Sequence, residues 1–219
     1  MANPAELLYE HLTAFRGSTN YPNTRTHRLA VSHLDAIEEM LNRMDEAKVK
    51  SVPTWRRYFD QWVELTLHTP HVWQTNSNLR HKDDYALEQL AGLADRMDDF
   101  MPTLRPDGIE TVVAYAQGIT ALLDDDDSIS RDLRLHLRQV IAHVEQCAAE
   151  FAIVGEFNLQ QAVERLLAVV ALVTTTSSKR SKWAERLGQF FWPFTAGAAA
   201  NVAATPIQAV ISTAITGGT

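Results

Sequence analysis

The sequence predicts an all-α protein: a multi-helix bundle with a long central antiparallel helical hairpin and a charge-free C-terminal helical tail. Three observations carry that prediction. Apolar residues recur at steps of three and four along most of the chain. No segment alternates with the period of two that a half-buried strand requires. The last stretch, Leu187 to Thr219, contains no Asp, Glu, Lys, Arg or His.

Leu8, Leu12 and Phe15 make the first stripe, and Gly17 and Pro22 lie beyond its end. Thr26 to Lys50 follows, with Leu34, Ile37, Leu41 and Met44 on one face. After the breaker Ser51-Val52-Pro53, Trp55, Phe59 and Trp62 line a third helix, which His68-Thr69-Pro70 closes. The polar stretch His71 to Asn78 reads as a loop. Leu79 to Phe100 is helical again, facing inward through Leu87, Leu90, Leu93 or Ala94, and Met97. Pro102, Pro106 and Gly108 mark a turn before a shorter helix, Ile109 to Leu123.

The clearest helix is Ile129 to Val154, where Leu133, Leu137, Val140, Val144, Cys147, Phe151 and Val154 step by four and three in strict alternation. Such a seam needs a partner along its length. Gly155 is expected to break it, and Asn158 to Val173 to return as the second arm of the hairpin.

With 46% apolar and 21% charged residues in 219, the chain is globular rather than disordered. The net charge of −7 argues against non-specific nucleic-acid binding. Within 179–186, Lys179, Arg180, Lys182 and Arg186 outweigh Glu185 by +3, so the remaining residues carry −10. The chain thus reads as an acidic helical body over 1–178, a basic hinge over 179–186 and an uncharged helical tail over 187–219. Cys147 is the single cysteine, so no intramolecular disulfide forms and the redox compartment is left open. No basic segment followed by an apolar run opens the sequence, and a cytoplasmic location is expected.

Candidate chemistry is sparse. The run Asp124 to Asp127 lacks the spaced ligands and central glycine of a calcium loop. It precedes a helix expected near Ser128, where acidic residues cap N–H groups, favour the dipole and stay solvated. Glu64, His68 and His71 are spaced for one face of an unbroken helix, as metal ligands are, but Pro70 interrupts it. Neither a metal nor another cofactor is expected.

Arg-x-x-x-x-His occurs at Arg28/His33, Arg131/His136 and Arg138/His143. The third, Arg138-Gln139-Val140-Ile141-Ala142-His143, resembles the active motif of the helical HEPN ribonucleases, in which an arginine and a histidine meet across a dimer at an RNA phosphate. The resemblance covers six residues and implies Arg138 and His143 as catalytic candidates. Paired surface residues are the ordinary alternative, because a five-residue step turns two side chains of a helix apart. No Gly-rich phosphate loop or nucleophile motif appears, so the chain leans towards a non-enzymatic role.

The tail carries the functional expectation. Phe190 to Ile215 has the length of a bilayer span. Its eight strong apolar residues contribute about −4 kcal/mol on an insertion scale, against Pro193, Pro206, Asn201, Gln208 and Gly197. Asn201, Thr205, Gln208 and Ser212 fall on one side of a continuous helix, and Gly197 with its alanine neighbours offers a close-approach surface. The basic residues would then meet anionic headgroups. Alternatively, Thr205-Pro206-Ile207-Gln208 starts a new helix. That gives two short helices, near Phe194–Ala204 and Pro206–Thr216, which pack in the fold or at a subunit interface. The first expectation is a helical protein that associates with a protein partner or itself through the tail. The second is a conditional membrane-inserting effector, similar to toxins and abortive-infection (phage-defence) proteins that assemble before inserting.

Overall fold

The computed structural model describes residues 3–15, 23–68, 77–101, 103–190 and 192–195, with side chains of the helix opening at Ser77 described from Asp83 onward. Eight helices and one short β pair account for the described residues, so the chain is all-α. It forms two compact units, residues 1–101 and 102–219, and the acidic stretch 1–178 spans both.

The first unit contains α1 (Pro4–Ala14), α2 (Thr24–Glu46), α3 (Val52–His68) and α4 (Ser77–Met97). Each helix packs on two others in a ring, α1 on α2, α2 on α3, α3 on α4 and α4 on α1, which is a bundle arrangement. The expected stripes form its core: Leu8, Leu12, Ile37, Leu41, Met44, Trp62, Leu90 and Met97 are all buried. Pro53 lies in the first turn of α3 rather than ending α2, since a first-turn proline gives up an N–H that has no helical partner. α2 stops at Glu46, and Lys48 adopts a positive φ of 60° just beyond. Asn3 fixes α1 at both ends of its amide: Oδ1 accepts from the Ala5 and Glu6 N–H groups at 3.0 Å, and Nδ2 donates to Ala94 O at 2.9 Å. The buried indole of Trp62 donates to Ala86 O at 2.8 Å.

The second unit contains β1 (Thr103–Leu104), α5 (Gly108–Asp124), α6 (Arg131–Ala149), α7 (Phe151–Thr176), α8 (Arg180–Gly188) and β2 (Phe194–Thr195). α6 packs on both α5 and α7, and α7 packs on α8. The seam helix is shorter than its spacing suggests. It ends at Ala149, and the non-helical break at Gly155 (φ 79°, ψ 172°) lies inside α7. That φ favours glycine, which has no Cβ to clash there. Leu137, Val140, Val144 and Cys147 of the seam are buried.

Two sequence expectations change in this unit. The helix expected to begin at Phe194 does not: Phe194 and Thr195 pair antiparallel with Leu104 and Thr103, and Phe194 is 2% exposed. The residues 179–186, expected as a hinge, are helical from Arg180, with Trp183 and Leu187 buried against the unit. Four-residue spacing puts these two large side chains on one face of a short helix, and burying them outweighs leaving the segment loose.

Candidate functional site

The base of the uncharged tail is where the second unit concentrates its polar contacts. The four aspartates that precede α6 each do something different. Asp124 pairs with Arg138 at 2.9 Å, and Asp125 receives Lys179 at 3.1 Å and Lys182 at 3.0 Å. Asp127, fully exposed, stands 3.9 Å from Arg134. Asp126 is 0% exposed. The reading of the run as solvated and capping fails for Asp126, and the N-cap of α6 is Ser130, whose side chain accepts from Leu133 N.

Asp126 is satisfied entirely by neutral donors on its carboxylate. Oδ1 accepts from Ser128 N at 3.0 Å and Ser128 Oγ at 2.6 Å. Oδ2 accepts from Trp183 Nε1 at 2.8 Å and from Ser177 Oγ. The two serine oxygens in turn accept from the Ser178 and Lys179 backbone N–H groups, both at 2.9 Å, which fixes the chain entering α8. Arg134 closes the outer side by donating to Leu123 O at 2.6 Å and to Asp126 O. Burial alone would raise the Asp126 carboxyl, but the hydrogen bonds from Ser128, Ser177 and Trp183 outweigh it and hold the group well below the ordinary carboxylate range. Four donors fill the roughly four acceptor positions a carboxylate offers. No lone pair is left to take a proton from a substrate, so the geometry is that of an anchor and not of a general base.

α8 is held at its other end by Arg186. Its Nη2 donates to Ala114 O and Tyr115 O at 3.2 Å, and its guanidinium lies 5.1 Å from the Tyr115 ring centroid. Gly118 makes the room, since a Cβ there would come within 1.7 Å of Nη2. Burial raises the Tyr115 hydroxyl well above its ordinary value, against a smaller lowering by Arg186. Beyond α8 the aromatic rings continue in series: Tyr115 to Phe190 at 4.5 Å, Phe190 to Trp192 at 6.0 Å, Trp192 to Phe194 at 5.3 Å. The series ends in the β1–β2 pair.

The residues singled out from the sequence are placed as follows. Of the basic group, Lys179 and Lys182 engage Asp125, Arg186 engages Tyr115, and Arg180 is exposed. Asp125 is held below the ordinary range by hydrogen bonds from Lys182 and then Lys179. Arg138 pairs with Asp124, whereas His143 lies beside the Cys147 thiol, 3.8 Å from Sγ through Nε2. The two side chains therefore engage different partners. His68 Nδ1 donates to Glu64 O at 2.9 Å, and His71 lies outside the described residues. Among the described residues no group of three or more His, Cys, Asp or Glu gathers to hold a metal ion. No described helix is long and apolar enough to cross a membrane. Gly197, Asn201, Thr205, Gln208 and Ser212, with the stretch 196–219, lie outside the described residues.

Ser177, Trp183 and Tyr115 were not singled out from the sequence, and Asp126 only as one member of the acidic run. The one local signal was Trp183 four residues before Leu187 in a segment otherwise rich in charge. The chain matches no protein-family model, no curated protein and no solved structure.

Proposed function

We propose that this is a non-enzymatic helical protein that acts by association, with itself or with a protein partner, through the uncharged segment beyond Thr195. The second unit serves as its mount. The observation that supports this reading is the state of the basic residues before the segment: Lys179 and Lys182 are engaged by Asp125, and Arg186 by Tyr115 and two carbonyls. Asp125 offsets one of the two lysine charges and Arg186 is spent on carbonyls and a ring, which lessens the pull of this group on anionic headgroups. An apolar segment rich in small residues remains suited to a close protein interface.

Two full-length variants test it. Gly197→Leu crowds the small-residue surface, and Gln208→Lys places a charge on the polar stripe, where burial without a partner is costly. Both should weaken association, read as mass by light scattering, while helix content stays constant. Unaltered mass in both would remove the segment from the interface.

The membrane-inserting effector is the second reading, favoured by the absence of charge from Leu187 to Thr219. It predicts flotation with anionic vesicles and loss of flotation in Gln208→Lys. The ribonuclease reading has no comparable support, because Arg138 and His143 engage different partners.

A further inference from the structure

α6 buries one face through Leu137, Val140, Val144 and Cys147, and a second row on the same helix also steps by four and three. This row is Leu135, Gln139, Ala142, Gln146 and Ala149; it carries no charge and is exposed at every position. Leu135 is 57% exposed. A solvated helix face ordinarily carries charged side chains, so an uncharged row with a leucine standing out of it is suited to a partner. Ala142 is central on the helical wheel, with Leu135 and Ala149 within about 20° of it. Gln139 and Gln146 lie along one edge of the row and Arg138 and Glu145 along the other, all four exposed.

We propose that this face receives the same face of a second copy of the chain, with the two α6 helices antiparallel about Ala142. Charge complementarity sets the occupant and the orientation. Arg138 stands four residues before Ala142 and Glu145 three after it. A two-fold axis passing between the two Ala142 residues therefore brings Arg138 of each copy level with Glu145 of the other, on the same edge, twice by symmetry. Gln139 meets Gln146 along the opposite edge, and Leu135 lies over Ala149. A parallel pairing would instead set both charges beside glutamines. Arg138 pairs with Asp124 at 2.9 Å through Nη2, which leaves other N–H groups of its fork for a second carboxylate. Glu145 makes no ion pair among the described residues. The inference rests on association through the tail. One helix pair centred on alanine buries less than the roughly 1,200–2,000 Å² of a standard interface. It forms between copies that the tail already holds at high effective concentration, and it fixes their orientation.

The test uses the full-length chain carrying Ala142→Cys, with mass read by light scattering and cross-linking read after mild oxidation. Cys147 is buried, so the unaltered chain serves as the blank. Associated Ala142→Cys should form covalent dimer about tenfold or more faster than Glu38→Cys, an exposed position on α2. Leu135→Cys lies about 20 Å from its symmetry mate and should not cross-link alone, whereas a mixture of Leu135→Cys and Ala149→Cys chains should. Arg138→Glu added to Ala142→Cys should slow the cross-link several-fold, and adding Glu145→Arg as well should restore it. Association with no faster cross-link at 142 overturns the helix pairing and leaves the tail reading standing. Cross-linking of Leu135→Cys with itself makes the pairing parallel and overturns it too. A full-length chain that stays monomeric, or that joins only a different protein, removes the self-association on which the pairing rests and overturns it.

Discussion

Trp183 Nε1 donates to Asp126 Oδ2 at 2.8 Å, tying two residues that stand 57 apart in sequence and are both fully buried. This bond joins the start of the last described helix to the turn before α6. It fixes α8, the last described helix, on the second unit.

Asp126→Ala should therefore destabilise the second unit strongly. It strands the Trp183, Ser177 and Ser128 donors in a dry site, at about 1–3 kcal/mol for each buried donor left unpaired, less what relaxation recovers. A net loss of about 3 kcal/mol in urea unfolding, followed by tryptophan fluorescence, is expected. A loss below about 0.5 kcal/mol would mean that the carboxylate anchors nothing.

Acid should act on the two units in separate windows. His11 has a folded value of about 4 against an ordinary 6.5, so folding favours its neutral form. Its contribution is complete above pH 6.5 and is lost as pH falls towards 4, a change of up to about 3 kcal/mol. Asp126 is depressed from 3.8, so its contribution is complete above that value and fades only at lower pH. Unfolding free energy measured from pH 7 to 3 should fall first through His11, and His11→Leu should flatten the upper part. An unaltered slope between pH 6.5 and 4 in His11→Leu would refute the assignment.

Gly118→Ala sets two effects against each other. Alanine gains up to about 1 kcal/mol of helix propensity. Against this, its Cβ displaces a guanidinium that makes two hydrogen bonds and stacks over Tyr115, worth together about 2–3 kcal/mol. The variant should be destabilised by about 1–2 kcal/mol. In an Arg186→Ala background the same change should stabilise. Additive behaviour of the two substitutions in thermal unfolding would show that Gly118 is not there for Arg186.

Reversing Lys179 and Lys182 together to Glu should cost little stability, about 1 kcal/mol or less, because both pairs with Asp125 are solvent-exposed. It should leave self-association unchanged at moderate salt. Abolished vesicle binding in this variant would instead favour the membrane reading.

Most helices were legible because their apolar residues keep the three-and-four step, and Leu34, Ile37, Leu41 and Met44 are all buried as that step requires. Asp126 was not legible. Its immediate neighbours are three other aspartates that do stay partly exposed, and two of its donors come from Ser177 and Trp183, 51 and 57 residues away. The β1–β2 pair escaped because two residues per strand are too few for alternation to register. The end of the seam helix escaped as well: Phe151 and Val154 keep the period, but the backbone breaks at Glu150 and again at Gly155. Periodicity reports which face is apolar, not whether the backbone is continuous.

The most direct measurement compares the mass of the full-length protein with that of a chain ending at Thr195, by light scattering over a range of concentrations. Thr195 closes the β pair, so the shorter chain retains the Asp126 anchor and the aromatic series. The account predicts that the full-length protein associates, alone or once its partner is added, and that the shorter chain stays monomeric with the same helix content. Equal association of the two chains would contradict it and move the interface onto the helical units.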